Sequence, residues 1–359
     1  MAEVTGLLDG MRVLDAGIWR PVPHATQMLA DLGAEVLKIE PPGGDPMRNF
    51  PQLFRDVAGH KRSIELNLRS DDGRSRALDL VAGADVFCEG WRPGVAARLG
   101  LGYEEVRARN SSIIYCSVSG YGQTGPNVAR PGHDVNYQAL AGALAPREGE
   151  APVIPRVPIA DLAAGTFAAF CICAAWAKRL RTGEGERIDV AMADVVASWS
   201  GTSSGNALRG RAEPARGSTG YGVFACADGG WITLAVISED HFWQAVCDGL
   251  GLGSDLRSLG HLERLDRYAE CQEAVRAACA GLPRAAALER LGAAGAPVAP
   301  VLSPAEMTMN AQFRTRGVVF DAGDGTARLG FPARLKVHPA HRPGPPPAVD
   351  EHPDGWTSR

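Results

Sequence analysis

Two short apolar runs separated by one helix-like run, between Arg12 and Glu40, constrain the fold more than any other stretch of this sequence. Arg12-Val13-Leu14-Asp15-Ala16-Gly17 reads as a strand, His24 to Leu32 as a helix ended by Gly33, and Glu35-Val36-Leu37-Lys38-Ile39-Glu40 as a second strand. A strand that reaches its neighbour through a helix runs parallel to it, and parallel sheets are covered by helices on both faces. Ala84 to Glu89 and Ser112 to Val118 are further short apolar strands, each followed by a glycine-bearing loop, as expected where parallel strands end at a ligand crevice. The expected architecture is α/β, with a doubly wound, Rossmann-like parallel sheet.

Composition shifts to Gly, Ser, Ala and Arg near 197–220, which reads as a linker. Beyond it, two strand-like runs flank Asp228-Gly229-Gly230, a hairpin signal, and helical patterns follow to about Leu291. The expected division is a large domain at 1–196 completed by 315–359, the linker 197–220, and a small α+β domain at 221–314. The proline-rich tail after Phe331 is expected to wrap over a surface.

Several function classes are disfavoured. Lys and Arg number 37 against 41 Asp and Glu, a net charge of −4 that provides no field for gathering nucleic acid or coating an anionic membrane. The turn after the first strand, Gly17-Ile18-Trp19-Arg20-Pro21, has one glycine where a dinucleotide fingerprint needs three, and Gly59-His60-Lys61-Arg62-Ser63 lacks phosphate-loop spacing. Cys171 and Cys173 lie in an alanine-rich run that reads as a buried helix, and no second pair completes a zinc pattern, so no metal is expected. The first residues lack the regions of a signal peptide, and the apolar run Leu162 to Ala177 is broken by Gly165 and Thr166, so the expected location is cytoplasmic.

What remains is an imidazole and a carboxyl. His133 stands in Gly132-His133-Asp134-Val135-Asn136-Tyr137, and Asp161 in Val157-Pro158-Ile159-Ala160-Asp161-Leu162, each near glycines that let a substrate approach the backbone. Taken singly, Asp161 also reads as the N-cap of an alanine-rich helix, and His133 as a satisfied loop histidine. Lys38, Lys61, Arg62, Arg69, Arg92 and Arg98 stand at expected strand ends, where together they suit a polyphosphate, although each alone reads as a solvated charge.

Leu32 to Glu40, Lys61-Arg62-Ser63-Ile64, Glu89-Gly90-Trp91-Arg92-Pro93-Gly94, Gly120-Tyr121-Gly122-Gln123-Thr124-Gly125-Pro126 and the Asp161 segment together resemble the class III CoA-transferase (CaiB/BaiF) family. Within it, the His133 segment resembles the α-methylacyl-CoA racemase branch. The resemblance implies a coenzyme A thioester over the strand ends, with no cofactor beyond that CoA moiety. Its contacts are implied at Lys38, Leu66, Asn67, Leu68, Arg69, Gly90, Trp91, Arg92, Arg98, Gly132, Asp134, Asn136 and Tyr137. It also implies an interlocked homodimer, His133 and Asp161 as catalytic bases, and Glu239 touching the histidine from the partner chain. Glu239 also reads simply as an acid in a first helical turn behind a Ser238 cap.

Racemisation of a 2-methylacyl-CoA through an enolate needs one base on each face of the α-carbon. From reference pKa values, a proton on aspartate rather than histidine costs about 3.5 kcal/mol in water, a gap that burial of the pair narrows. Backbone N–H groups at the helix start near Asp161, or around Gly132, are expected to hold the enolate oxygen. Against the racemase branch stands Val157, where racemase relatives often carry an asparagine. The alternative is a CoA-transferase in which Asp161 is a nucleophile forming an acyl anhydride with CoA as leaving group. A third reading is an acyl-CoA-binding homologue with altered chemistry.

Overall fold

Six strands form one parallel sheet in the order β3-β2-β1-β4-β5-β6: β1 (Arg12–Ala16), β2 (Glu35–Glu40), β3 (Arg62–Glu65), β4 (Val86–Glu89), β5 (Ile114–Ser119) and β6 (Glu186–Ala191). The computed structural model describes residues 6–146, 151–211, 217–323 and 325–357. Contacts divide the chain into two compact units, residues 1–209 with 312–359, and residues 210–311. Residues 212–216 of the expected linker lie outside the described residues; its first part holds the end of a helix and a short helical turn at Gly201–Ser204.

Helices cover both faces of the sheet, as a parallel sheet requires. They are α1 (Pro21–Asp31), α2 (Pro51–Ala58), α3 (Asp71–Ala82), α4 (Val95–Arg98), α5 (Tyr103–Arg109), α6 (Asp134–Leu140), α7 (Ile159–Thr182), α8 (Met192–Trp199) and α9 (Gly201–Ser204). On one face Leu29, Val36, Cys116 and Ile172 belong to a core built by α1 and α7; on the other Leu14, Phe87, Leu80 and Val106 join α3 and α5 to the strands. Local signals set the helix starts. Pro21 occupies the first turn of α1, while the Ser70 hydroxyl accepts from Gly73 N at the start of α3, with Asp71 and Asp72 in its first turn.

The glycine and threonine at 165 and 166 do not interrupt α7, because neighbours close to Gly165 (Pro21 O and His24 lie under 3 Å from where a Cβ would sit) fill the space beside it. At 24 residues α7 is long and apolar enough to cross a membrane by length and composition. One side of it is core (Ala160, Ala164, Ala168, Ile172), while Phe170 and Leu180 are exposed.

Two strands of the parallel sheet escaped the sequence reading. Lys61-Arg62, expected in a crevice loop, lead into and begin β3, and Glu186–Ala191 forms β6. Both runs are short or charge-bearing, and β6 alternates exposed and buried residues, so neither shows the continuous apolar run of a buried parallel strand. The edge at β3 is closed by the tail. Ser63 N donates to His352 Nδ1 and His352 N to Ser63 O, Glu65 N donates to Asp350 Oδ1, and Trp356 Nε1 to Leu80 O.

The second unit holds an antiparallel sheet of β7 (Tyr221–Ala225), β8 (Trp231–Ala235) and β9 (Val298–Pro300), with β7 and β8 joined by the expected Asp-Gly-Gly turn. Against it lie α10 (Asp240–Leu250), α11 (Ser254–Arg257), α12 (His261–Asp266), α13 (Tyr268–Ala280) and α14 (Arg284–Ala293), around buried Trp243, Val246, Val275 and Leu291.

Candidate active site

The chain leaves β1 toward β2 on one side and β4 toward β5 on the other, so the loops after β1 and β4 diverge. A crevice opens between them at the carboxyl end of the sheet, where doubly wound folds bind ligands. Two cavities lie there, of about 610 and 590 Å³, sharing Ile18, Trp91 and Val95 as common wall. Each falls in the range of small-molecule and cofactor sites.

His133 and Asp161 both line the first cavity. His133 stands in extended backbone immediately before α6, and its N–H donates to Asn136 Oδ1 at 3.0 Å. Asp161 is the third residue of α7, so the capping reading fails: the residue before the helix is Pro158, which has no capping side chain. The cap comes instead from Asp134, the first residue of α6. Its Oδ1 accepts from Ala160 N at 2.7 Å and Asp161 N at 3.1 Å, while Oδ2 accepts from Gln138 Nε2. One carboxylate therefore locks the start of α6 to the start of α7, and with them His133 and Asp161.

Burial lifts the Asp161 carboxyl to about 6, and the neighbouring Asp134 charge adds to the rise; Arg20 and His133 oppose it. Among the described residues, no donor reaches the Asp161 carboxyl. Val157, four residues before Asp161, is 55% exposed.

The glycine space in this loop serves the protein rather than a substrate. A Cβ on Gly120 or Gly132 would sit 2.5 or 2.7 Å from the Tyr137 ring, and Tyr137 Oη donates to Gly132 O at 2.5 Å. Asn136 and Tyr137 still contribute cavity wall, whereas Asp134 is spent on the α7 cap. The backbone N–H groups at the α7 start, expected to hold an enolate oxygen, are occupied by that cap.

The implied CoA contacts divide in the same way. Leu66, Asn67, Leu68 and Arg69 line the second cavity with Trp91, and Gly90 and Arg92 line the first; Arg98 is exposed at the end of α4 and lines neither. Lys38 is a correction. It is 1% exposed, paired with Asp45 Oδ2 at 2.7 Å, and donates to Gly17 O at 2.6 Å. Lys61 is likewise enclosed, donating to Asp15 Oδ2, Thr26 Oγ1 and Pro23 O. Burial alone would raise the Asp15 carboxyl, but Lys61 and Lys38 hold it below its usual value. A desolvated ammonium needs its countercharge inside the protein, so both lysines support the Gly17 turn from beneath instead of meeting phosphate. Arg62 turns to the tail, donating to Gly355 O.

Glu239 belongs to the second unit, as the residue before α10. It does not sit behind a Ser238 cap: its own Oε2 accepts from Ile237 N and Ser238 N, and backbone donors, its own first, lower its pKa.

Trp19, Arg130 and Ser119 are among the wall residues that sequence reasoning missed. Trp19 lines the first cavity from a left-handed backbone position, φ +62, which strains a bulky side chain and has no motif to betray it. Arg130 also lines that cavity, from a loop without periodic pattern, and Ser119 stands in the wall at the end of β5 with its hydroxyl oxygen buried. Arg20, beside Trp19, acts on Asp161 electrostatically.

Comparison with known proteins agrees with this geometry. The CoA-transferase family III profile matches residues 8–353. An acetyl-CoA:oxalate CoA-transferase of Acetobacter aceti is 33% identical, over 96% of this chain and 94% of the relative. A succinyl-CoA:glutarate CoA-transferase of Mus musculus is 32% identical, over 96% and 84%. Among solved structures, a CAIB/BAIF family protein from Brucella suis superposes with a TM-score of 0.87 at 28% identity, covering 98% of each chain.

Proposed function

From the premise that the chain belongs to CoA-transferase family III, we propose that it moves CoA between carboxylic acids, with Asp161 as the nucleophile. The observation that carries this is Asp161 itself: a carboxyl without a hydrogen-bond donor, in the wall of a cavity at the strand ends. The relatives named for oxalate and glutarate transfer support it over the racemase expectation. A carboxylate oxygen attacks the thioester carbonyl, the C–S bond breaks, and CoA leaves as thiolate, giving an acyl anhydride on Asp161. Thiolate then attacks the Asp161 carbonyl of the anhydride, releasing the donor as free carboxylate and leaving an Asp161–CoA thioester. The acceptor carboxylate attacks that thioester and displaces thiolate, and thiolate attack at the acceptor carbonyl of the new anhydride gives the acceptor's CoA thioester and frees the Asp161 carboxylate.

CoA crosses the second cavity along Leu66 to Arg69 and passes Trp91 to reach Asp161. Arg92 and Arg130, which pair with no acid among the described residues, make the first cavity suitable for an anionic acyl group or acceptor acid. The interlocked homodimer is part of the proposal, and the exposed Phe170, Leu180 and Trp199 suit a covered surface.

Hydroxylamine added after an acyl-CoA is expected to leave a hydroxamate on Asp161, found by peptide mass spectrometry, and a second carboxylic acid is expected to yield its own CoA thioester. A specific observation favours a second reading: His133 shares the cavity, and Asp161 at about 6 has approached the ordinary imidazole range, as two-base racemisation requires. Absence of hydroxamate and new thioester, with α-deuterium entering a 2-methylacyl-CoA in D₂O, would replace the first reading by the second.

A further inference from the structure

The wall shared by the two cavities is built on a turn. Gly90, Trp91, Arg92 and Pro93 follow β4 without a break and all line the first cavity, and Trp91 lines the second as well. A CoA arm that crosses from one cavity to the other passes this turn, so the placement of the turn sets the fit of the arm. The residue beneath it is Glu89, last of β4 and 3% exposed. Glu89 Oε2 accepts from Trp91 N at 2.8 Å, and the Ser117 hydroxyl, in register beside it on β5, bonds to the same carboxyl. Two charged groups of β6 act on it from the next strand: Asp189 opposes its ionisation and Arg187 favours it. Asp189 also accepts from Gln123 N, and Arg187 lies over the Tyr103 ring. On β5, Tyr115 is kept neutral first by burial and then by the Glu89 charge, with Glu105 of α5 adding to the effect. Burial outweighs both hydrogen bonds and lifts the Glu89 carboxyl to about 7. A neutral amide would hold the same turn without that penalty, so an ionisable acceptor here indicates a use for its charge.

We propose that Glu89 is a positioning residue for CoA, whose ionised carboxylate fixes the turn 90–93 and so holds Trp91 against the arm that links the two cavities. An ionised acceptor makes the stronger bond to the Trp91 N–H, and protonation leaves a weaker, neutral one. Glu89 touches neither the ligand nor the reacting atoms; it acts through Trp91. The inference rests on a CoA thioester lying across these cavities, but not on the chemistry at Asp161.

The test sets Glu89→Gln and Ser117→Ala against wild type with free CoA as the probe, its Kd measured by calorimetry between pH 6 and 8.5. Glu89→Gln keeps an acceptor but not the charge, and is expected to bind throughout as weakly as protonated wild type. Relative to it, wild type is expected to gain about fivefold in affinity as pH rises, the difference between a charge-assisted and a neutral hydrogen bond, with a midpoint near 7. The 3′-phosphate of CoA titrates at about 6 with every protein compared, so the difference between the profiles belongs to Glu89. Ser117→Ala removes a bond that favours ionisation and is expected to move the midpoint above 7. In ligand-free protein labelled with ¹⁵N-tryptophan, the Trp91 amide signal, assigned by its loss in Trp91→Phe, is expected to shift with the same midpoint in wild type and to stay fixed in Glu89→Gln. Parallel Kd profiles of wild type and Glu89→Gln overturn the proposal, as does tighter binding by Glu89→Gln at pH 8.5 or a Trp91 amide that does not titrate near 7. A wild type that binds no CoA would sink the proposed function, while the amide titration still decides whether Glu89 holds Trp91.

Discussion

Asp161 carries a burden that chemistry explains and folding does not. Its carboxyl, lifted from 3.8 to about 6 by burial and by Asp134, is costly to ionise in the folded protein. A carboxyl whose folded pKa is raised lowers stability as pH climbs from 3.8 toward 6, and the full cost is present above 6. About two units correspond to at most about 3 kcal/mol, and partial solvent exposure cuts this to roughly 1–2. Asp161→Asn is therefore expected to melt a few degrees higher than wild type at pH 7.5 and at the same temperature near pH 3.5, measured by calorimetry, while losing acyl-enzyme formation. Acylation by wild type is expected to rise with pH to a plateau, with its midpoint near 6. That His133 and Asp161 belong to one cavity wall was legible because both stand in glycine-bearing motifs. Ser119, Trp19 and Arg130 were not legible, because what distinguishes them is a buried hydroxyl, a backbone angle and a place in a wall, none of which has a local sequence pattern.

Among elements, the junction of α6 and α7 decides the site. Asp134 accepts from two amides of the next helix, a contact 26 positions away for Ala160, so no capping rule read along the chain reveals it. Asp134→Ala is expected to cost about 0.5–2 kcal/mol, the usual worth of a lost cap, by denaturant unfolding. It also removes a negative neighbour, so the midpoint of the acylation profile is expected to move below 6. Asp134→Asn keeps an acceptor oxygen but not the charge, and is expected to shift the profile with little loss of stability. Should both variants leave the midpoint where it is, Asp134 does not tune Asp161. The first βαβ unit was readable from periodicity, since β2 occupies the expected residues and β1 differs by one; β3 was hidden by the polar residues that meet the tail.

In the whole molecule, chain ends matter to the sheet. Within the tail, residues 350–356 meet β3 at Arg62, Ser63 and Glu65 and reach Leu80 of α3. Proline content announced a wrapping tail, but not its path, which depends on contacts 289 positions apart for His352 and Ser63. His352 accepts there through Nδ1, and burial lowers its pKa, with Arg62 adding to the effect. A histidine kept neutral in the fold contributes stability above its ordinary range and loses it as pH falls through the lowered value. Removal of 341–357 is expected to lower the melting temperature and to promote association through the bared β3 edge, seen by light scattering; a monodisperse truncation with unchanged melting would show the strap to be dispensable. During synthesis the same separation becomes time. At about 5–20 residues per second, β3 waits roughly 15–60 s on the ribosome before its cover is made, an interval in which the growing chain offers an open strand to its neighbours.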